Sequence, residues 1–123
     1  MASPNQRTGK VYIKINGMLY ESMPGAKLTD PMGVTREDVV GTDVFGYAEK
    51  AVAPSIGCEF AHGSGLSLQA LAACVNETIT FECDSGPTFI LRNAWYASGM
   101  ELTGGEGKVA CTFKGKQCEE QLS

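Results

Sequence analysis

Gly33-Val34-Thr35-Arg36-Glu37-Asp38-Val39-Val40-Gly41-Thr42-Asp43-Val44-Phe45-Gly46-Tyr47 is the stretch on which the reading of this chain turns. It is the middle of a polar, glycine-dotted connection over residues 24–46 that runs on into a strand-like segment. Structureless connections longer than about 12–15 residues are uncommon in compact domains unless they bind something or are disordered. Val34, Val39, Val40, Val44 and Phe45 argue against disorder, because a solvated linker has no use for apolar side chains. The simplest user of such a loop is a partner surface. The alternative is a loop folded back on its own domain.

Length and charge bound what surrounds it. A chain of 123 residues makes one domain over 1–123. At that size folding buries roughly 65% of the unfolded surface, so the core needs no metal or disulfide. Fourteen acidic against ten basic residues leave a net charge of −4, without the basic footprint that tight nucleic-acid binding requires. Residues 1–9 read as an N-terminal arm; Met1 to Lys10 has no apolar signal-peptide core. No run approaches the roughly 18 apolar residues of a membrane span, so the expectation is a soluble chain made in the cytoplasm, without membrane insertion.

Outside the long loop the periodicity is mostly two. Val11, Ile13 and Ile15 alternate with Tyr12 and Lys14, Asn16-Gly17 offers a type I′ turn, and Met18 to Met23 returns. Tyr47 to Phe60 puts Val52, Ile56, Cys58 and Phe60 on one parity, interrupted at Pro54. Ser64 to Val75 switches to helical spacing, with Leu68, Leu71, Ala72 and Val75 as the stripe and Ser64 or Ser67 as N-cap. Glu77 to Asp84 and Thr88 to Arg92 form a second hairpin around Ser85-Gly86-Pro87, which Asn93 to Ala97 can extend. Lys108 to Lys114 is the last strand, with Val109, Cys111 and Phe113 inward, and residues 115–123 read as an exposed C-terminal tail. Together these predict a mainly β protein: a small antiparallel β-sandwich or partly open barrel with one short helix. Such a domain leaves sheet edges that recruit further strands unless blocked.

Catalytic and metal chemistry is thin. Cys58-Glu59-Phe60-Ala61-His62 has the look of half a zinc site, but two further ligands at finger spacing are missing. His62-Gly63-Ser64-Gly65 is not a nucleophile elbow, and His62 is the only histidine. Asn76-Glu77-Thr78 matches a glycosylation acceptor, idle without a secretory route, and Gly104 to Gly107 lacks the lysine and helix of a phosphate loop. The expectation is a protein that is no enzyme and carries no cofactor or metal. A non-polymerising β-sandwich binding module stays open as the alternative to a self-assembling subunit, with a hydrolase well behind both.

The Asn16-Gly17 hairpin, Thr35-Arg36-Glu37 with Gly41, the run Gly46 to Pro54, the strand Glu77 to Phe81, Asn93-Ala94-Trp95 and the closing Gly107 to Gly115, taken in order, resemble the tail tube proteins of Mu-like contractile-tailed bacteriophages. The likeness covers nearly the whole chain and lies in order, spacing and total length rather than in any one motif. It implies six-subunit rings with a continuous inner β-barrel, stacked into a hollow tube. A sheath lies outside, and a tape-measure protein lies inside during assembly. The genome passes through the bore without specific binding. The chain would then be a virion tail component, assembled in the host bacterial cytoplasm, and the helix would sit toward the sheath.

By that resemblance residues 24–46 bridge neighbouring subunits or stacked rings, with Thr35, Arg36, Glu37, Asp38, Val39, Val40, Phe45 and Tyr47 as the contact residues. A six-membered ring carries 6 × (−4) = −24, which keeps phosphate off the wall. The lumen candidates are the polar alternates Thr78, Thr80, Glu82 and Asp84, with Glu49 beside them; the plainer reading is the solvated face of a sheet. Five cysteines do not divide into internal pairs. Parity puts Cys58, Cys83 and Cys111 in the core, where a thiol is a small hydrophobe. In a virion outside the reducing cytosol, Cys118 with Cys74 or Cys58 are the candidates for disulfides between chains. Five reduced thiols are the alternative.

Overall fold

Period-two alternation becomes ten strands and one short helix in a computed structural model that describes residues 4–20, 22–23 and 25–122. Strand β1 (Val11–Ile15) turns through Asn16 (φ 53°) and Gly17 (φ 83°) into β2 (Met18–Tyr20). Both turn residues take the left-handed region that a type I′ turn demands, and Asn-Gly enters it at little steric cost. The return arm expected to Met23 ends as a strand at Tyr20. Ser22 then bridges to Phe60, and Glu21 lies outside the described residues.

The expected structureless connection is folded: it holds β3 (Lys27–Thr29), β4 (Val34–Val40) and the start of β5 (Val44–Ala51). Its first residue, Pro24, lies outside the described residues. The β-branched valines that argue against disorder are, like Thr35, also good strand formers. Strand β6 (Ser55–Ala61) follows the interruption at Pro54 and buries Ile56, Cys58 and Phe60. The helix α1 (Leu68–Ala72) is shorter than its sequence pattern, with Ser67 as N-cap accepting from the Ala70 N–H at 3.2 Å. Because it stops at Ala72, helical spacing no longer governs residues 73–75. Val75 is therefore exposed, and Cys74 is buried in its place, its carbonyl accepting from the Tyr96 N–H.

Strand β7 (Glu77–Cys83) returns as β8 (Thr88–Thr103), which runs well past the expected hairpin arm, and β9 (Lys108–Lys114) follows. The main sheet has the order β2-β1-β7-β8-β9-β6-β3. The expected free tail is instead mostly a strand, β10 (Gln117–Gln121), paired antiparallel with β8 from Gln117↔Arg92 to Gln121↔Thr88. Its sequence carries little β-propensity. What holds it is tertiary: Cys118 packs on the core and Arg92 grips Glu119 through Nε and Nη2 at 2.8 and 3.1 Å.

One strand thus serves two ladders. The first part of β8 pairs with β7 and β10, the second with β9. Between them Asn93 (φ 51°) forms a bulge, where the β7 register slips between Glu77 and Ile79, and the strand bends from one layer into the other. The layers close over Ile13, Ile79, Leu91, Ile56, Phe60, Val109 and Phe113, all fully buried, with Leu71 of α1 covering them. Burying each such side chain stabilises the fold by roughly 1.5–3 kcal/mol. The Ser22↔Phe60 bridge draws the β2 side toward β6, so the sandwich is partly closed like a barrel.

The crossing from β9 to β10 passes directly over β8 at this corner. A Cβ on Gly115 would lie 2.7 Å from Leu91 Cδ1 and 2.9 Å from the Arg92 carbonyl oxygen. Gly115→Ala is expected to lower stability by about 1–3 kcal/mol through overpacking. It reads as a lower denaturant midpoint at unchanged slope. The control Gly104→Ala, where nothing lies within 4 Å, should stay within about 0.5 kcal/mol of the parent.

Candidate functional site

Strands β4 and β5 pair with each other and, among the described residues, with no other strand. Their ladder runs from Val34↔Ala51 to Val39↔Gly46 and then slips to Val40↔Val44, leaving Phe45 as the extra residue of a bulge. The tip is closed by the Gly41 N–H donating to the Asp43 carbonyl at 2.9 Å, and the Phe45 ring lies across Gly41, where an added Cβ would meet it at 2.6 Å. One face carries Arg36 opposite Glu49, with Nε to Oε1 at 3.2 Å, and Asp38 opposite Tyr47; the Arg36 guanidinium stacks over the Tyr47 ring at 5.0 Å. The other face carries Thr35, Val39 and the Glu37–Lys50 pair at 2.8 Å.

These contacts do not make the hairpin self-sufficient. Exposed ion pairs contribute about 0–1 kcal/mol each, and a two-stranded hairpin without a packed face is at best marginal in water. Every residue of β5 is exposed, including Phe45 at 70% and Val44 at 71%, and so is all of β4 but Thr35. Large apolar side chains gathered at the tip of an unsupported ribbon make an exposed patch of the kind found at interaction sites. All eight contact residues named from sequence, Thr35, Arg36, Glu37, Asp38, Val39, Val40, Phe45 and Tyr47, sit on this ribbon. Val44 belongs with them and is missing from that set. Its signal is its place beside Phe45 at the apolar end of the stretch.

A second surface is the face of β1, β7, β8 and β10 turned away from the core. Register sets Thr80 beside Lys14 and Ile90, and Glu82 beside Tyr12 and Thr88, with Thr78 on the same parity. Glu82 Oε1 lies 3.3 Å from Lys14 Nζ, and Arg92 holds Glu119 farther along. Lys14 and Arg92, the basic side chains that these strands themselves place on this face, therefore each hold a carboxylate. That pairing is not legible in the sequence, because it depends on which strands become neighbours.

The structure does not bring all five lumen candidates together. Thr78, Thr80 and Glu82 share this face, whereas Glu49 is on the hairpin, paired with Arg36. Asp84, after β7, ties down the N-terminal arm: its carboxylate accepts the Gly9 and Lys10 N–H groups, both at 3.0 Å, while its own N–H donates to the Lys10 carbonyl. Of the disulfide candidates, Cys58 and Cys74 are buried and Cys118 is half-buried on the core face of β10. A second chain reaches Cys58 or Cys74 only through local opening. Among the described residues no three His, Cys, Asp or Glu side chains converge as metal ligands.

The arm contact yields a pH dependence. The Gly9 N–H, then the Lys10 N–H, hold the Asp84 carboxyl below the usual carboxylate range. A depressed folded-state pKa gives stability that is present above the unfolded value, about 3.9, and lost as pH falls through the folded value. In NMR titrations the Gly9 and Lys10 amides are expected to shift together with a midpoint below about 3.9. Asp84→Asn should abolish that transition.

The chain is similar to known proteins in sequence and in fold. A family model described as phage tail tube protein matches residues 4–120. The tail tube protein of Escherichia phage Mu is 41% identical over 102 residues, covering 83% of this chain and 86% of that protein. The Mu-like prophage FluMu tail tube protein of Haemophilus influenzae is 29% identical over 114 residues, covering 93% and 95%. Among solved structures, the fold is similar to the anti-feeding prophage cap, a tube-terminating cap, at TM-score 0.67 and 12% identity, covering 100% of this chain and 95% of that one. It is also similar to Hcp1 of Flavobacterium johnsoniae, at TM-score 0.58 and 10% identity, covering 92% and 95%.

Proposed function

The chain belongs to the phage tail tube protein family, and on that premise we propose that it builds the tube of a contractile phage tail as stacked rings of identical subunits. The observation that carries this reading is the β4–β5 hairpin, whose apolar tip has no partner strand in its own chain among the described residues. A hairpin docking on a different surface of the next copy makes a heterologous contact, and such contacts close into rings or run on into filaments. Six subunits per ring, a sheath around the tube and a tape-measure protein within it during assembly come from the resemblance to Mu-like tails. The role is structural, without catalysis.

The polar face of β1, β7, β8 and β10 is the proposed wall of the bore. Genome passage needs a surface without free cations to grip phosphate, because each phosphate contact by Lys or Arg adds affinity through counterion release. Lys14 and Arg92, held by Glu82 and Glu119, meet that condition. The net charge of −4 per subunit adds a repulsive background.

Negative-stain microscopy tests assembly. The parent protein is expected to form rings or tubes; Phe45→Asp should leave a folded monomer with unchanged circular dichroism and no tubes. A parent that stays monomeric at high concentration would instead favour a non-polymerising binding module. For the bore, Glu82→Lys frees Lys14 and adds a cation. Tubes should still form, while genome ejection slows in a salt-dependent way; ejection at the parental rate would remove this face from the bore.

A further inference from the structure

Strands β6 and β9 run antiparallel in register from Ser55↔Lys114 to Ala61↔Lys108, which sets Cys58 directly opposite Cys111. The ladder fixes the kind of rung. Gly115 donates to the Pro54 carbonyl at one end and His62 to the Gly107 carbonyl at the other. Hydrogen-bonded rungs alternate with open ones, and Cys58 lies an even number of steps from both, so the cysteines occupy a hydrogen-bonded rung. The Cα atoms on such a rung are about 5.5 Å apart, within the roughly 4.4–6.8 Å that a disulfide spans. Both side chains point into the core, and the sulfurs are 3.6 Å apart. Among the described residues this is the one sulfur–sulfur contact: Cys74 Sγ lies against the Ala70 carbonyl, and Cys118 packs on the core from β10.

We propose that Cys58 and Cys111 are an oxidative cross-linking site within one chain, closed by a small-molecule disulfide once the protein is in a non-reducing environment. The pair is dormant in the closed fold because neither sulfur is open to a reagent: Cys58 is 3% and Cys111 2% exposed. Entry is from the β6 side. Strand β3 covers β6 only from Ser55 to Gly57 and the next bridge is Ser22↔Phe60, so Cys58 sits between two short attachments, while Cys111 lies on a strand flanked by β6 and β8. Local opening there exposes Cys58 first.

The chemistry balances as two exchanges. Cys58 loses its proton and its thiolate attacks one sulfur of the small disulfide; the S–S bond of the reagent breaks, and the released thiolate takes up a proton. Cys111, deprotonated in turn, attacks the Cys58 sulfur of the mixed disulfide and expels the second small thiolate, which is also protonated. Two protein thiols are oxidised to one disulfide, and one small disulfide is reduced to two thiols. The product staples residues 53 positions apart in sequence across the centre of the β6–β9 ladder. It leaves Cys74, Cys83 and Cys118 as thiols.

The test incubates the reduced full-length chain with glutathione disulfide, in buffer and at a urea concentration where the β6 amides exchange. The protein is then unfolded in N-ethylmaleimide, digested and mapped by mass spectrometry. The expected result is an intact mass lower by two hydrogens before alkylation. Cys58 and Cys111 peptides should be joined, and Cys74, Cys83 and Cys118 labelled. A Cys74→Ala, Cys83→Ala, Cys118→Ala variant should give the same joined peptide, and Cys58→Ala should give none. Maleimide on both Cys58 and Cys111 after the urea incubation would overturn the proposal. So would peptides joining Cys58 to Cys118 or Cys74.

Discussion

The structure depends on one strand being shared by two sheets. The β8 backbone must pair with β7 and β10 as far as Ala94 and with β9 from Trp95 onward, and no straight strand faces both layers. The bulge at Asn93 supplies the bend, since asparagine tolerates a left-handed backbone conformation better than most residues. The Asn93 side chain then donates to Asn76, ahead of β7, at 2.8 Å, fixing the corner from the other side. Once that bend is set, the inward faces of β1, β7, β6 and β9 converge on a common core. Gly115 lets the chain cross the corner closely enough for β10 to pair.

The same geometry leaves β4 and β5 outside. A ribbon with two exposed faces buries too little apolar area to offset the roughly 1–2 kcal/mol per residue of backbone ordering. Its cross-strand pairs contribute only about 0.2–1 kcal/mol each. That energetic shortfall is the physical ground for the assembly role proposed for the hairpin. An element whose packing was completed against a second copy would make the assembled state the stable one. Arg36–Glu49 and Glu37–Lys50 pair four of the six charges on the ribbon, while Asp38 and Asp43 leave it net acidic beside its exposed apolar tip.

Charge on the polar face obeys a different logic. Lys14–Glu82 and Arg92–Glu119 are partly exposed pairs, each a small contributor to stability. Their importance is in occupancy. A lysine or arginine held by a carboxylate is a poor phosphate ligand, so the face stays polar and hydrated without becoming adhesive.

Much of the core is legible because strand alternation is a local property. Ile13, Ile56, Phe60, Ile79, Phe81, Val109, Cys111 and Phe113 face inward by parity alone and are buried. The Asn16-Gly17 turn is equally local, and the valines of the long connection already speak against disorder. Tertiary structure decided what depends on neighbours distant in sequence. Residues 117–121 became a strand because β8 offered an open edge and Arg92 a partner for Glu119, not because Gln-Cys-Glu-Glu-Gln favours extension. Cys74 displaced Val75 from the core because the Tyr96 backbone captures the chain just after a helix of five residues. Sequence by itself determined which side chains face inward, since that needs only the backbone's own period. The contacts across sheets, including Cys58 against Cys111, waited on strand order, which is set by the summed packing of the whole chain.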